Sequence, residues 1–176
     1  DLNLWNNFAI GSVTDPNGNK TTWHYDGYGN ITMIENGNSL IVYEYDEQNR
    51  MTEKRFPNGD NKTYEYDDKG RPARITYNNS DEELYTWNAD NTLKSYTDRE
   101  GNTEQYEYDN GQLTRYTDAS GNSSQLFYNP SGRISRLLRA DQTNLYYTYD
   151  EFGNLVNIAD DNGLLASISY DASGLF

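Results

Sequence analysis

Two ring-bearing positions separated by one mostly polar residue, then Asp or Asn, return along the chain at a near-constant interval. The marks are Tyr25-Asp26, Tyr45-Asp46, Tyr66-Asp67, Trp87-Asn88, Tyr108-Asp109, Tyr128-Asn129, Tyr149-Asp150 and Tyr170-Asp171, in steps of 20, 21, 21, 21, 20, 21 and 21 residues. Residues i and i+2 of a strand share a face, so each copy opens with a strand that is aromatic on one side. The residues between the rings, His24, Glu44, Glu65, Thr86, Glu107, Phe127, Thr148 and Ser169, are mostly polar and mark the wet side. Stacked in register, Trp23, Tyr43, Tyr64, Tyr85, Tyr106 and Tyr147 make one row, with Leu126 and Ile168 filling its other places. Tyr25, Tyr45, Tyr66, Trp87, Tyr108, Tyr128, Tyr149 and Tyr170 make the second. A period this regular predicts one supersecondary unit repeated, each copy burying its apolar face against the next.

Each strand runs into Asp-x-x-Gly, as at Asp26 to Gly29, Asp67 to Gly70 and Asp150 to Gly153, with Gly132 closing the Asn129 copy. An Asp side chain can accept from backbone N–H groups two residues on, and Gly accepts a positive φ at little cost, so the motif predicts a hairpin turn. Where Gly is missing, Asn49 and Asn91 stand in, the residue type that best tolerates the left-handed region after Gly. Asp109-Asn110-Gly111 is one residue shorter and predicts a tighter turn or a shifted bulge. A second strand follows, as Ile31 to Ile34, Leu93 to Tyr96, Leu113 to Tyr116 and Leu155 to Ile158. Its apolar pair is three apart, which demands either a β-bulge or a first residue packed on the turn. A second Asp-x-x-Gly turn, such as Asp118 to Gly121, completes the copy.

The prediction is therefore an all-β fold: tandem hairpins of about 21 residues in a continuous, twisted antiparallel sheet, a solenoid or shell-like strip. Residues 1–176 read as one array of about eight copies. Both ends cut through a unit. Ile10 to Asp15 matches Leu155 to Asp160, Trp5-Asn6 stands where Tyr-Asp belongs, and Ser173 to Phe176 falls inside a turn and opening strand. An excerpt from a longer array is the expectation.

Composition adds that the sheet is thin and tyrosine-built. Tyr numbers 17, hydrophobic residues make up 34%, and the mean hydropathy is −1.03, too little apolar mass for a thick core. The 28 acids against 14 bases give a formal charge of −14, which repels phosphate-rich partners, so nucleic acid is not expected as a partner. The longest apolar stretch, Leu40 to Tyr43, is far short of the ~20 residues that cross a bilayer, so membrane insertion is not expected. Zero cysteines exclude a disulfide framework.

The run Tyr-x-Tyr-Asp-x-x-Gly-Arg/Asn-Leu, with Thr-Asp-x-x-Gly-Asn, stands at Tyr147 to Leu155 and Thr117 to Asn122 and closely resembles the YD or Rhs repeat family. That family includes the repeat regions of bacterial polymorphic toxins, the shell proteins of insecticidal toxin complexes, wall-associated proteins and teneurins. The resemblance implies a secreted or cell-surface location and hairpins joined into an encapsulation shell, with a C-terminal toxin domain enclosed in the toxin members. It also implies partners: neighbouring repeats of the parent chain or another copy through the sheet edges, an enclosed toxin domain, and glycans, since carbohydrate binding is associated with the family. The plug region of self-processing members is missing, and Asp15-Pro16-Asn17-Gly18 reads as an ordinary turn, so no autoprotease residues transfer.

No catalytic, cofactor-binding or metal-binding residues are assigned, and no enzyme is expected. His24 is the single histidine, so a two-histidine metal site is not expected, and His24 reads as an exposed strand residue beside Trp23 and Tyr25 rather than as a catalytic base. Acids recur at turns rather than facing each other across a cleft with one raised pKa, as glycoside hydrolysis needs. Asp-x-Asn-Gly turns supply oxygens for calcium, yet the closing bidentate Glu of the familiar loop is absent. The aromatic rows read first as cross-strand packing and second as a sugar-stacking platform. The leading expectation is a structural segment that encloses or presents another domain; the alternative is a carbohydrate or cell-surface binding module. An acidic wall would in addition suit a basic cargo.

Overall fold

The computed structural model of the chain describes residues 10–78 and 80–170. Trp5-Asn6, Asp171 and Ser173 to Phe176 lie outside them. Sixteen strands form and, among the described residues, no helix. The first eight are β1 (Ser12–Thr14), β2 (Lys20–Tyr25), β3 (Ile31–Asn36), β4 (Ser39–Tyr45), β5 (Met51–Arg55), β6 (Asn61–Tyr66), β7 (Pro72–Tyr77) and β8 (Asp81–Trp87). They continue as β9 (Leu93–Thr97), β10 (Thr103–Asp109), β11 (Gln112–Thr117), β12 (Ser123–Tyr128), β13 (Ile134–Leu138), β14 (Asn144–Tyr149), β15 (Leu155–Asp160) and β16 (Gly163–Ser167). They lie side by side in chain order from β1 to β16 as one open antiparallel sheet, the all-β architecture that the pattern of rings and turns predicts. Each copy is an aromatic strand paired to the strand that follows it, and a second turn passes the chain to the next copy.

The three-residue spacing of the second strand resolves as a β-bulge. Trp23 faces Ile34 and His24 faces Met33, but Tyr25 faces Ile31, so Thr32 is the extra residue and both isoleucines lie on the aromatic side. The same shift falls between Glu44 and Tyr45, Glu65 and Tyr66, Glu107 and Tyr108, Phe127 and Tyr128, and Thr148 and Tyr149.

Most turns are three-residue loops closed by a left-handed residue. In the Asp67 turn, the N–H of Gly70 donates to the Asp67 carbonyl at 3.0 Å and the N–H of Asp67 to the Arg71 carbonyl at 2.9 Å. Gly70 has φ 80°, and Asn49 and Asn91 take φ 60° and 71° in their copies. Asp15-Pro16-Asn17-Gly18 is a turn of the same kind between β1 and β2. The short Asp109 copy makes the tighter turn: Asp109 pairs with Gln112, and Asn110 and Gly111 at φ 48° and 79° give the two positive values of a two-residue hairpin.

The chain divides into two compact units. One takes in the residues up to Tyr85 with the turn Asp98–Gly101, and its hairpins are β2/β3, β4/β5 and β6/β7. The other takes in Thr86–Thr97 and the residues from Asn102 onward, with hairpins β10/β11, β12/β13 and β14/β15. Neither has a thick core. Leu145, at 9% exposure, is the one buried hydrophobic among the described residues, because a single sheet has no second layer to cover it.

Candidate functional site

The feature repeated often enough to carry a function is the turn with the rings beside it. In the Asp26 turn, one carboxylate oxygen accepts the N–H groups of Tyr28 and Asn30, both at 2.9 Å, and the other accepts the Asn30 side-chain amide at 2.9 Å. Asp150 holds Phe152 and Asn154 in the same way, and Asn129 accepts from Ser131 and Arg133. Where the residue after the closing position is Arg, its Nε replaces the amide, at 2.7 Å from Asp46 in Arg50 and from Asp67 in Arg71. Side-chain bonds from Asn19, Asn30, Arg71 and Asn122 are the foremost reason that the carboxyls of Asp15, Asp26, Asp67 and Asp118 sit below the ordinary 3.8. A carboxyl with a depressed folded pKa stabilises the fold above its unfolded pKa and stops doing so as pH falls through the folded one. The thermal midpoint, followed by circular dichroism, is therefore expected to hold steady down to about pH 4 and fall below it.

The aromatic positions are half-buried rather than buried. Tyr25, Tyr45, Tyr66, Tyr128 and Tyr149 each face the first apolar residue of the following strand, namely Ile31, Met51, Pro72, Ile134 and Leu155. Successive rings of a row thus lie on alternate strands, and within each of these hairpins the second ring faces an apolar residue that is not a ring. One ring pair, Tyr106 with Tyr116 at 5.5 Å between centroids, lies within a single copy.

What ties one copy to the next is the hydroxyl at the end of the second ring. Tyr45 donates to the carbonyl of Ile31 at 2.8 Å, Tyr66 to Met51 at 2.8 Å, Tyr128 to Leu113 at 2.7 Å and Tyr149 to Ile134 at 2.7 Å. Tyr25 and Tyr170 reach Ile10 and Leu155 likewise, at 3.0 Å. Each acceptor lies 14 or 15 residues upstream, in the preceding copy. The reading of the sequence missed this bond, although a signal was present: the second ring is Tyr or Trp in every copy and never Phe.

Two carboxylates stand on the ring face, both held by phenols. Glu83 accepts from Tyr77 and Tyr85, each at 2.9 Å, and Glu104 from Tyr106 at 2.6 Å and Tyr116 at 2.8 Å. Burial and then the bond to Glu83 push the Tyr77 phenol up to about 12, and burial and then Glu104 raise that of Tyr106. A raised phenol pKa stabilises the fold below pH 10, and that contribution is lost as pH climbs from 10 through about 12. Phenolate absorbance is expected to show Glu83→Gln bringing one tyrosine to lower pH, with the unfolding onset in base moving the same way.

The opposite face carries cross-strand ion pairs. Arg55 meets Glu44 across the pair and Glu53 along its own strand, Arg74 meets Glu65 at 3.7 Å and Glu82 at 3.6 Å, and Arg115 meets Glu107 at 3.8 Å. His24 lies there too, 3.3 Å from Glu35, and both side chains are more than two-fifths exposed. Exposed pairs of this kind are screened by water and add little to stability. Among the described residues no group of His, Cys, Asp and Glu is arranged to hold a metal ion.

Comparison with known proteins matches these copies to two family descriptions. Teneurin YD-shell covers residues 10–95, and RHS repeat covers residues 109–143. No curated protein matches. Among solved structures, a Tc holotoxin pore of Photorhabdus luminescens is similar at 16% identity and TM-score 0.46, over 88% of this chain and 12% of that one. The complex TcdB2-TccC3-Cdc42 is similar at 17% identity and TM-score 0.46, with the same coverage. TcdB2-TccC3 without its hypervariable C-terminal region is similar at 14% identity and TM-score 0.45, over 92% of this chain and 14% of that one. The chain thus spans about one eighth of the length of the solved chains it matches.

Proposed function

The chain belongs to the YD/Rhs repeat family, and from that premise we propose that it is a stretch of wall in a larger secreted or surface-displayed shell that encloses or presents another domain, as a toxin shell does. The observation that carries the reading is the pairing order. Every strand lies beside its sequence neighbours, so the fold extends by adding hairpins and needs no central core. In this reading the array is an excerpt, and the outer edges of β1 and β16 take further hairpins of the parent polypeptide. Its functional residues are the ones that make wall: the Asp and Asn of the turns, the left-handed residues that close them, and the tyrosines that clamp copy to copy. No step of this work requires a catalytic group.

The geometry does not favour a sugar platform. Rings in the rows are half-buried, and the hydroxyls of Tyr25, Tyr45, Tyr66, Tyr128, Tyr149 and Tyr170 are committed to backbone carbonyls of their own sheet.

Electron cryomicroscopy of the complete polypeptide that carries these repeats tests the proposal. The wall reading expects hairpins continuing in register on both sides and density for a separate domain beside or within them. A stand-alone module with both edges open to solvent would overturn it.

A further inference from the structure

One hairpin breaks the repeat on its apolar side. The positions across from the first aromatic row hold Ile34, Ile75, Tyr116, Leu137 and Ile158, but the β5 strand puts Lys54 there. Directly across the next junction, where Ile34 meets Ile41, Leu137 meets Leu145, Tyr116 meets Ser124 and Ile75 meets Glu83, Lys54 faces Lys62, a pair of like charges. Like charges directly opposite on a sheet destabilise it, and a local rule broken without an evident gain points to function.

Both lysines are half-buried residues, and their ammonium groups are set against rings. The Nζ of Lys54 lies 4.7 Å from the centre of Phe56, and that of Lys62 lies 4.5 Å from the centre of Tyr77. Arg99 stacks on the same Tyr77 ring at 4.4 Å. Neither lysine has a carboxylate ion-pair partner among the described residues, whereas Arg99 is paired with Asp81 at 2.7 Å. Asp60 is nearby but bound by the amides of Asn58 and Asn78. An open cleft of about 540 Å³ lies beside this cluster, with Phe56, Lys62, Tyr77, Arg99 and the amide-bound Asp60 in its lining, and Lys54 adjoins it through the Phe56 ring.

We propose that this cleft binds a carboxylate side chain of an acidic polypeptide segment. Lys62 supplies charge in the cleft, Lys54 adds to it from beside the Phe56 ring, and Phe56 and Tyr77 receive the aliphatic stem. The site is a local reversal of sign on a chain of charge −14, so only a partner that reaches into the cleft gains from it. A phosphate ligand fits less well, because the one guanidinium that could grip it with two bonds already holds Asp81.

Calorimetric titration with a hexaglutamate peptide at low ionic strength tests the assignment. Binding is expected to the unaltered chain and to weaken about ten-fold in Lys54→Gln/Lys62→Gln. Lys20→Gln/Lys94→Gln changes the formal charge by the same two units, from −14 to −16, and is expected to leave binding in place. Lys62→Arg keeps the charge, and its binding is expected to stay within about two-fold of the unaltered chain. Absence of binding to the unaltered chain, or equal loss in both double variants, overturns the proposal. Binding of oligogalacturonate but not of the peptide overturns it in favour of an acidic sugar. Self-association of the chain abolished by Lys54→Gln/Lys62→Gln overturns it in favour of a second copy.

Discussion

Leu145→Ala is expected to lower the unfolding free energy by about 2–3 kcal/mol, measured by urea denaturation, as buried leucines do when truncated. Leu145 faces Leu137 on one side and Asp160 on the other, at the centre of three strands of the same unit. The expected loss sits at the low end of the range because the sheet has a single layer, and water fills part of any cavity made there. Leu164, at 65% exposure on the last strand, is the control: Leu164→Ala is expected to cost less than about 0.5 kcal/mol. Equal effects at the two positions would show that burial in this sheet is not graded as described.

The second large effect concerns the tyrosine that joins copies. Tyr66→Ala is expected to cost about 2–3 kcal/mol and Tyr66→Phe about 1 kcal/mol, the first removing ring and hydroxyl, the second the hydroxyl alone. The ring faces Pro72 across the strand pair and carries the Arg50 guanidinium 4.6 Å from its centre, so the alanine variant also strips Arg50 of its platform. The hydroxyl bond to Met51 crosses from one copy to the one before. Its loss should therefore speed amide exchange in β5 as well as in β6. Exchange faster in β6 alone would mean that the hydroxyl does not couple neighbours.

Features decided within four or five residues were legible in the sequence. The Asp67 turn is an example, since acceptor, donors and left-handed residue all lie between Asp67 and Arg71. Asn49 and Asn91 could be placed for the same reason: few side chains tolerate that backbone region, and Asn is one of them. The strand order followed from the period, because short turns allow a strand to pair only with its neighbours. What stayed hidden depends on register. Whether Ile31 and Ile34 share a face turns on one extra residue, Thr32, that only the pairing across to Tyr25 reveals. The rings of a row lie on alternate strands, so in its own hairpin a second ring faces Ile31 or Met51 rather than another ring. Lys54 and Lys62 are eight residues apart in sequence, and nothing in their spacing marks them as direct partners until the turn between them is closed.

Cross-linking by introduced cysteines tests most directly that copies sit side by side in chain order, because the chain has no cysteine of its own to interfere. Arg115 and Gln125 are partners across the β11/β12 junction, which passes the chain from one copy to the next. Arg115→Cys/Gln125→Cys is predicted to oxidise to an intramolecular disulfide in high yield under native conditions, while Arg115→Cys/Thr148→Cys stays reduced. A disulfide in the second pair, or none in the first with the fold intact, would contradict the account.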